Sequence, residues 1–129
     1  MNRFYQVDIL AELYSAATGI ELSPQELTLA AERTWNMYKV LNVREGFTRK
    51  DDVIPERWFE PMKTAEGGES PLTDYYKTKI LSKEELNGVL DDYYDERGWD
   101  IERGLPTKQK LAELGLDDVV EDFSKLGLL

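Results

Sequence analysis

Two short strings constrain this chain more than any other feature: Ser23-Pro24-Gln25-Glu26 and Ser82-Lys83-Glu84-Glu85, each followed by apolar residues at helical spacing. A serine hydroxyl that accepts the third helical N–H, answered by a glutamate reaching back to the serine N–H, marks a helix start. Pro24 strengthens the first start, because its fixed φ suits the first helical position and its missing N–H would have no helical partner there. The spacing predicts a helix from Ser23 to about Leu41 with Leu27, Ala30, Ala31, Thr34, Trp35, Met37, Tyr38 and Leu41 turned to the core. That set is wider than the ~100° stripe of a surface helix, so the helix is expected to be central and packed on two sides. The second box predicts a helix with Leu86, Val89, Leu90, Tyr93 and Tyr94 inward, ended by Gly98.

The same reasoning places three more helices. Val7, Leu10, Leu13, Tyr14 and Ala17 recur at helical spacing over Tyr5 to Thr18, and Gly19 follows as a left-handed cap. Thr107 caps a short helix with Leu111 and Leu114 inward and Gly115 as its stop, and Asp117 caps a last one with Val119, Val120, Phe123 and Leu126 inward. Pro55 and Pro61 leave room for only one or two helical turns between them. The segments Met62 to Pro71 and Gly98 to Thr107 read as a loop and a connector, rich in glycine and proline and without periodicity. No stretch alternates convincingly. The expectation is one all-α domain over 1–129, irregular, with four to six helices and no fixed-period repeat.

Composition narrows the function. At 129 residues the chain has the length of one domain, and a formal charge of −10 disfavours nucleic acid, whose affinity rests on cations that displace counterions. No apolar run approaches the ~20 residues needed to span a bilayer, and Met1 to Tyr5 lack the apolar segment of a signal peptide, so a cytoplasmic protein without membrane partners is expected. Cysteine and histidine are both absent, which removes disulfides, thiolate and imidazole metal ligands, and the commonest general base.

Carboxylates remain as catalytic material: Asp51 with Asp52, Asp91 and Asp92 with Asp95 and Glu96, and Asp117 and Asp118 with Glu121 and Asp122. Asp91 and Asp95 share a helix face and are spaced to hold a hard cation, but acids at helix starts and on outer faces more commonly serve the macrodipole and solvation. Trp35, Trp58, Trp99 and the pairs Tyr75-Tyr76 and Tyr93-Tyr94 read as core more readily than as partner surface; in the second pair one ring is expected in the core and the other against a neighbour.

One loop resists a bland reading. "NVREGFTRKDD", Asn42 to Asp52, holds three cations and three carboxylates around a glycine. Arg44 and Arg49 offer planar donor forks, and Glu45, Asp51 and Asp52 offer acceptors, while Gly46 and Phe47 suggest a tight turn with an apolar anchor. Two roles stay open: an internal ionic clamp, or a contact to another domain or a cavity through Asn42, Arg44, Glu45, Gly46, Arg49, Lys50, Asp51 and Asp52. A division is expected, with Arg44 and Glu45 structural and the Thr48-to-Asp52 end facing the neighbouring domains.

The strings "AATGIELSPQEL", "AERTWNMYKVLNVREGFTRKDDVIPER", "LDDYYDERGWD" and "GLPTKQKLAELGL", in this order and spacing, closely resemble the carboxy-terminal domain of the aldehyde ferredoxin oxidoreductase family, roughly from Ile9 to Leu116. The resemblance implies a parent enzyme that oxidises aldehydes to carboxylic acids and passes electrons to ferredoxin. It also implies tungsten, or molybdenum in some relatives, bound by two pterins of the molybdopterin type, with a [4Fe–4S] iron–sulfur cluster. In that architecture a β-rich base domain and two helical domains share the cofactors. The family's cluster cysteines, three in the middle domain and one in a "DxxGLC"-type motif of the last, have no counterpart here, and the chain is expected to start just after that motif. No catalytic, pterin or metal residue therefore carries over to any position.

Two functions follow as expectations. The first is a non-catalytic helical domain or fragment of such an oxidoreductase, packing against its cofactor domains, holding no cofactor and not an enzyme by itself. The second is a free-standing acidic interaction module. Separated from other domains, the chain is expected to form a homodimer, and to meet ferredoxin only through a whole enzyme.

Overall fold

The computed structural model describes residues 6–129, so Tyr5, the expected start of the first helix, lies outside the described residues. Five α-helices are present among them: α1 (Val7–Thr18), α2 (Pro24–Arg44), α3 (Lys83–Glu96), α4 (Lys108–Glu113) and α5 (Asp117–Lys125). Both capping boxes are formed in full, Ser23 with Glu26 and Ser82 with Glu85. Gly19 adopts φ +74 after α1, and its N–H donates to the Ser15 carbonyl. Thr107 caps α4, its hydroxyl accepting from the Lys110 N–H at 3.2 Å. Asp117 does not cap α5: Leu116 holds that position, and Asp117 and Asp118 lie in the first turn, where carboxylates favour the positive end of the helix dipole. Between the two prolines, Glu56–Phe59 makes a single 3₁₀ turn.

The fold is not purely helical. Met62–Lys63 (β1) pairs antiparallel with Glu69–Ser70 (β2), and Trp99–Asp100 (β3) pairs with Leu105–Pro106 (β4), in the two segments expected to lack secondary structure. Two-residue strands are too short to produce an alternation that a sequence pattern can reveal. Local polar geometry makes both hairpins instead. The Thr64 N–H donates to the Gly68 carbonyl at 2.9 Å, and the Gly104 N–H to the Asp100 carbonyl at 2.7 Å.

The chain divides into two compact units, one comprising residues through Glu45 with Pro106–Leu129 and the other Gly46–Leu105. In the first, Ala11 of α1, Val40 and Val43 of α2, Leu111, Leu114 and Leu116 around α4, and Val119 and Phe123 of α5 are buried. Glu32 of α2 and Lys110 of α4 form an ion pair within it. The buried Asn36 amide donates to the Glu32 carbonyl at 2.9 Å, so its polar head is satisfied inside the helix that carries it.

The second unit has a small aromatic core. Tyr94, Trp99 and Leu105 are its buried apolar residues. Tyr93 meets Trp99 edge-on at 5.8 Å between ring centroids, and Tyr94 lies 5.5 Å from the same indole. Tyr94 is thus the core member of its pair and Tyr93 the flanking one, as expected.

Several residues expected inside are outside. Leu10, Leu13 and Tyr14 of α1, Trp35, Tyr38 and Leu41 of α2, Val89 of α3 and Leu126 are all exposed. Among the described residues, α2 is covered on the side that buries Asn36, Lys39, Val40 and Val43, while Tyr38 and Leu41 next to it are exposed.

Candidate functional site

The second unit gathers residues from three of the strings singled out above. Arg49, in the turn after Gly46, sends its guanidinium to Asp91 of α3, with Nη2 2.8 Å from the Asp91 Oδ1. The same guanidinium carbon lies 5.1 Å from the centroid of the Tyr94 ring. The Tyr94 hydroxyl donates to the Asp52 carboxylate. Asp91 and Tyr94 sit three positions apart on one face of α3, which is why one short loop can engage both. The Arg49 N–H also donates to the Arg103 carbonyl at 3.2 Å, tying the loop to the β3–β4 turn.

Electrostatics and solvation agree with a clamp. The Arg49 side chain is 19% exposed. Burial, followed by the hydrogen bond to Asp52, pushes the Tyr94 phenol far above its ordinary value of 10.0. Tyr94 is therefore a hydrogen-bond donor throughout the physiological range and not a base. The planar Arg49 guanidinium offers its donors to the Asp91 carboxylate and its face to the Tyr94 ring. The arrangement holds the loop backbone against α3.

The other expected loop residues are placed differently. Asp51 closes the turn by accepting from the Thr48 N–H at 2.7 Å and the Thr48 hydroxyl at 3.1 Å. Lys50 is exposed. Gly46 takes φ +93, a conformation that favours glycine. Asn42, Arg44 and Glu45 belong to the other unit, at the end of α2, and are exposed. Arg44 reaches Asp122 at 3.6 Å, with its side chain 52% exposed. Within this chain Arg49 is held between a carboxylate and a ring, whereas Arg44 makes a solvated surface pair.

Tyr94 and Gly104 were not among the expected site residues. The sequence placed Asp91 with Asp95 on a helix face as a possible cation pair, but the structure turns Asp91 to an arginine forty-two positions away. Only the joint presence of the strings signalled it.

Elsewhere in the same unit, a groove of about 530 Å³ is lined by Pro55, Trp58, Met62 and Leu72 together with Arg57, Glu60 and Ser70. Trp58 and Met62 are exposed within it.

Residues 1–116 match the family model described as aldehyde ferredoxin oxidoreductase, domains 2 and 3. The chain belongs to the aldehyde ferredoxin oxidoreductase family. Family relatives include the tungsten-containing aldehyde ferredoxin oxidoreductase of Pyrococcus horikoshii, 31% identical over 113 residues, which cover 86% of this chain and 16% of the relative. That of Pyrococcus furiosus is 32% identical over 111 residues, 84% of this chain and 16% of the relative. Among solved structures, the active site complex BamBC of benzoyl coenzyme A reductase, in complex with 1,5-dienoyl-CoA, is similar with a TM-score of 0.66 at 30% identity, over 97% of this chain and 16% of that one. The chain spans about a sixth of the length of these relatives.

The donor set does not fit an iron–sulfur cluster, whose irons are held by thiolates, since the chain contains no cysteine. Among the described residues no three carboxylates converge as metal ligands would. No step of redox chemistry is assigned to any residue of this chain. No helix among the described residues is long and apolar enough to cross a membrane.

Proposed function

We propose that this chain is a non-catalytic helical domain of a tungsten-dependent aldehyde:ferredoxin oxidoreductase, whose work is to pack against the domains that carry the pterin-bound metal and the iron–sulfur cluster. Aldehyde oxidation, electron transfer to ferredoxin and a cytoplasmic setting are properties of that assembly in this reading. The Asn42-to-Asp52 loop supports the packing role from within: Arg49 fixes its own unit, and the exposed Asn42, Arg44, Glu45 and Lys50 remain available to a neighbouring domain or the rim of its cavity.

The observation that carries the reading is the apolar surface left open on α1 and α2. Leu10, Leu13 and Tyr14 share one face of α1, and Tyr38 and Leu41 stand at helical spacing on α2; all five are exposed. Amphipathic stripes of this size are normally covered, and a chain that spans 16% of its relatives has ample missing surface to cover them. Separated from that surface, the chain is expected to self-associate as a two-fold dimer through the same stripes.

Co-purification from the native host tests the proposal. A tagged chain is expected to bring down tungsten-containing protein with aldehyde-oxidising activity, and Leu13→Ser with Tyr38→Ser to abolish this while the circular dichroism stays the same. Recovery of an unrelated, metal-free partner would favour the free-standing interaction module.

A further inference from the structure

In the second unit the segment from Thr73 to Ile80 carries the two most exposed large apolar side chains described, Tyr75 at 91% and Tyr76 at 79%. Two exposed tyrosines on a slack loop would mean little. This tip is held. Thr73 and Ile80 form an antiparallel bridge at its base, and the Asp74 N–H donates to the Lys79 carbonyl at 2.9 Å. The Asp74 carboxylate accepts from the Thr78 N–H at 2.7 Å, the Thr78 hydroxyl at 2.7 Å and the Lys79 N–H at 3.1 Å, drawing the backbone around itself. The two rings stand edge to face, 5.2 Å apart at 86°. Lys77, between them and Thr78, has φ +57, and it is the one non-glycine residue at positive φ among those described.

A tip ordered in this way has already lost the conformational freedom that binding would otherwise remove, and tyrosine combines large contact area with few rotatable bonds. Its charge is also distinctive. On a chain of formal charge −10, this short segment carries Lys77 and Lys79 against a single carboxylate, Asp74. Lys79 pairs with Glu85 at the start of α3, and Lys77 directly follows the two tyrosines in the chain. Aromatic rings with one adjacent cation complement an apolar cleft with an acidic rim.

We propose that the Tyr75–Tyr76 tip is an anchor that inserts into an apolar, acid-rimmed cleft on the part of the parent polypeptide outside this chain. The inference rests on the proposed function, since the cleft would lie in the additional length of a parent polypeptide like the relatives, which are about six times as long as this chain. It adds a contact in the second unit, separate from the α1 and α2 stripes of the first.

The test is site-specific photo-crosslinking in the assembly purified from the native host, with the photoreactive amino acid placed at Tyr76 and, in a second protein, at Leu13. The expected result is a crosslink from position 76 to an acid-rich peptide of the oxidoreductase. Tyr75→Ala with Tyr76→Ala should then weaken co-purification tenfold or more, as loss of two interface anchors does, with unchanged folding because both side chains lie in solvent. A crosslink at position 13 but none at 76 would overturn the anchor and leave the proposed function standing. A crosslink from 76 only to another copy of this chain would overturn it too, and failure at both positions would remove the proposed function along with the anchor.

Discussion

Gly104 and Arg49 meet backbone to backbone: a Cβ built on Gly104 would lie 2.9 Å from the Arg49 nitrogen and 3.0 Å from its α-carbon. Gly104 also holds φ +68, so two independent requirements exclude a side chain there. The space belongs to a rigid backbone held by its own hydrogen bond to Arg103, and it cannot yield as a flexible side chain would. Gly104→Ala is therefore expected to destabilise the chain by about 2–4 kcal/mol, combining left-handed strain with the clash. Gly115→Ala, at φ +65 with nothing within 4 Å, should cost only the strain, about 1 kcal/mol. Urea titration of the two variants checks the difference, and equal losses would contradict the close approach.

Removing Arg49 should cost more than removing Arg44. Arg49→Ala deletes a charge-assisted hydrogen bond to Asp91 and a cation held over Tyr94, together about 1–3 kcal/mol, discounted because Asp91 itself is 45% exposed. Arg44→Ala deletes a long, solvated pair with Asp122 and should cost under ~1 kcal/mol. Thermal melts of both variants decide the order.

Alkaline pH should weaken the fold through Tyr94. Its phenol is raised by burial and then by Asp52, so the folded state keeps a proton that the unfolded state releases near the ordinary value of 10.0. The contribution is complete below pH 10 and is lost as pH rises from there toward the elevated folded value. Tyr94→Phe should flatten this part of the stability curve, and cost about 1–2 kcal/mol at neutral pH by leaving Asp52 without its donor. Denaturant midpoints between pH 8 and 11 provide the comparison.

Acid should loosen the tyrosine tip. The Thr78 hydroxyl, more than any other group, holds the Asp74 carboxyl below its ordinary value of 3.8. A depressed carboxylate contributes stability above that ordinary value and loses it as pH falls through the folded one. Amide exchange at Thr78 and Lys79 should therefore speed up below that range relative to the rest of the chain. Asp74→Asn should show fast exchange at those amides even at pH 7.

The helix ends were legible because the interactions that define them are local. Ser23 with Glu26, Ser82 with Glu85, Thr107, Gly19 and Gly115 each act within a few residues, and the structure places them as their spacing requires. The hairpins at Met62–Ser70 and Trp99–Pro106 were not legible, because two-residue strands carry no periodic signal and depend on turn hydrogen bonds that composition does not reveal. In the loop, sequence reasoning identified the charged residues but not their partners. Arg49 could have met any of several carboxylates, and only the α3 face that presents Asp91 and Tyr94 together chose.

By itself the sequence determined where helices begin and end, which faces of them are apolar, and, through four ordered strings, the family to which the chain belongs. Tertiary structure alone decided which of those faces this chain covers. Periodicity records that a stripe such as Leu10, Leu13 and Tyr14 is built to leave water, but burial is a property of the surface that meets it. Phe123 and Leu111 find that surface and are fully buried, whereas Leu10, Leu13 and Tyr14 of α1 are exposed among the described residues.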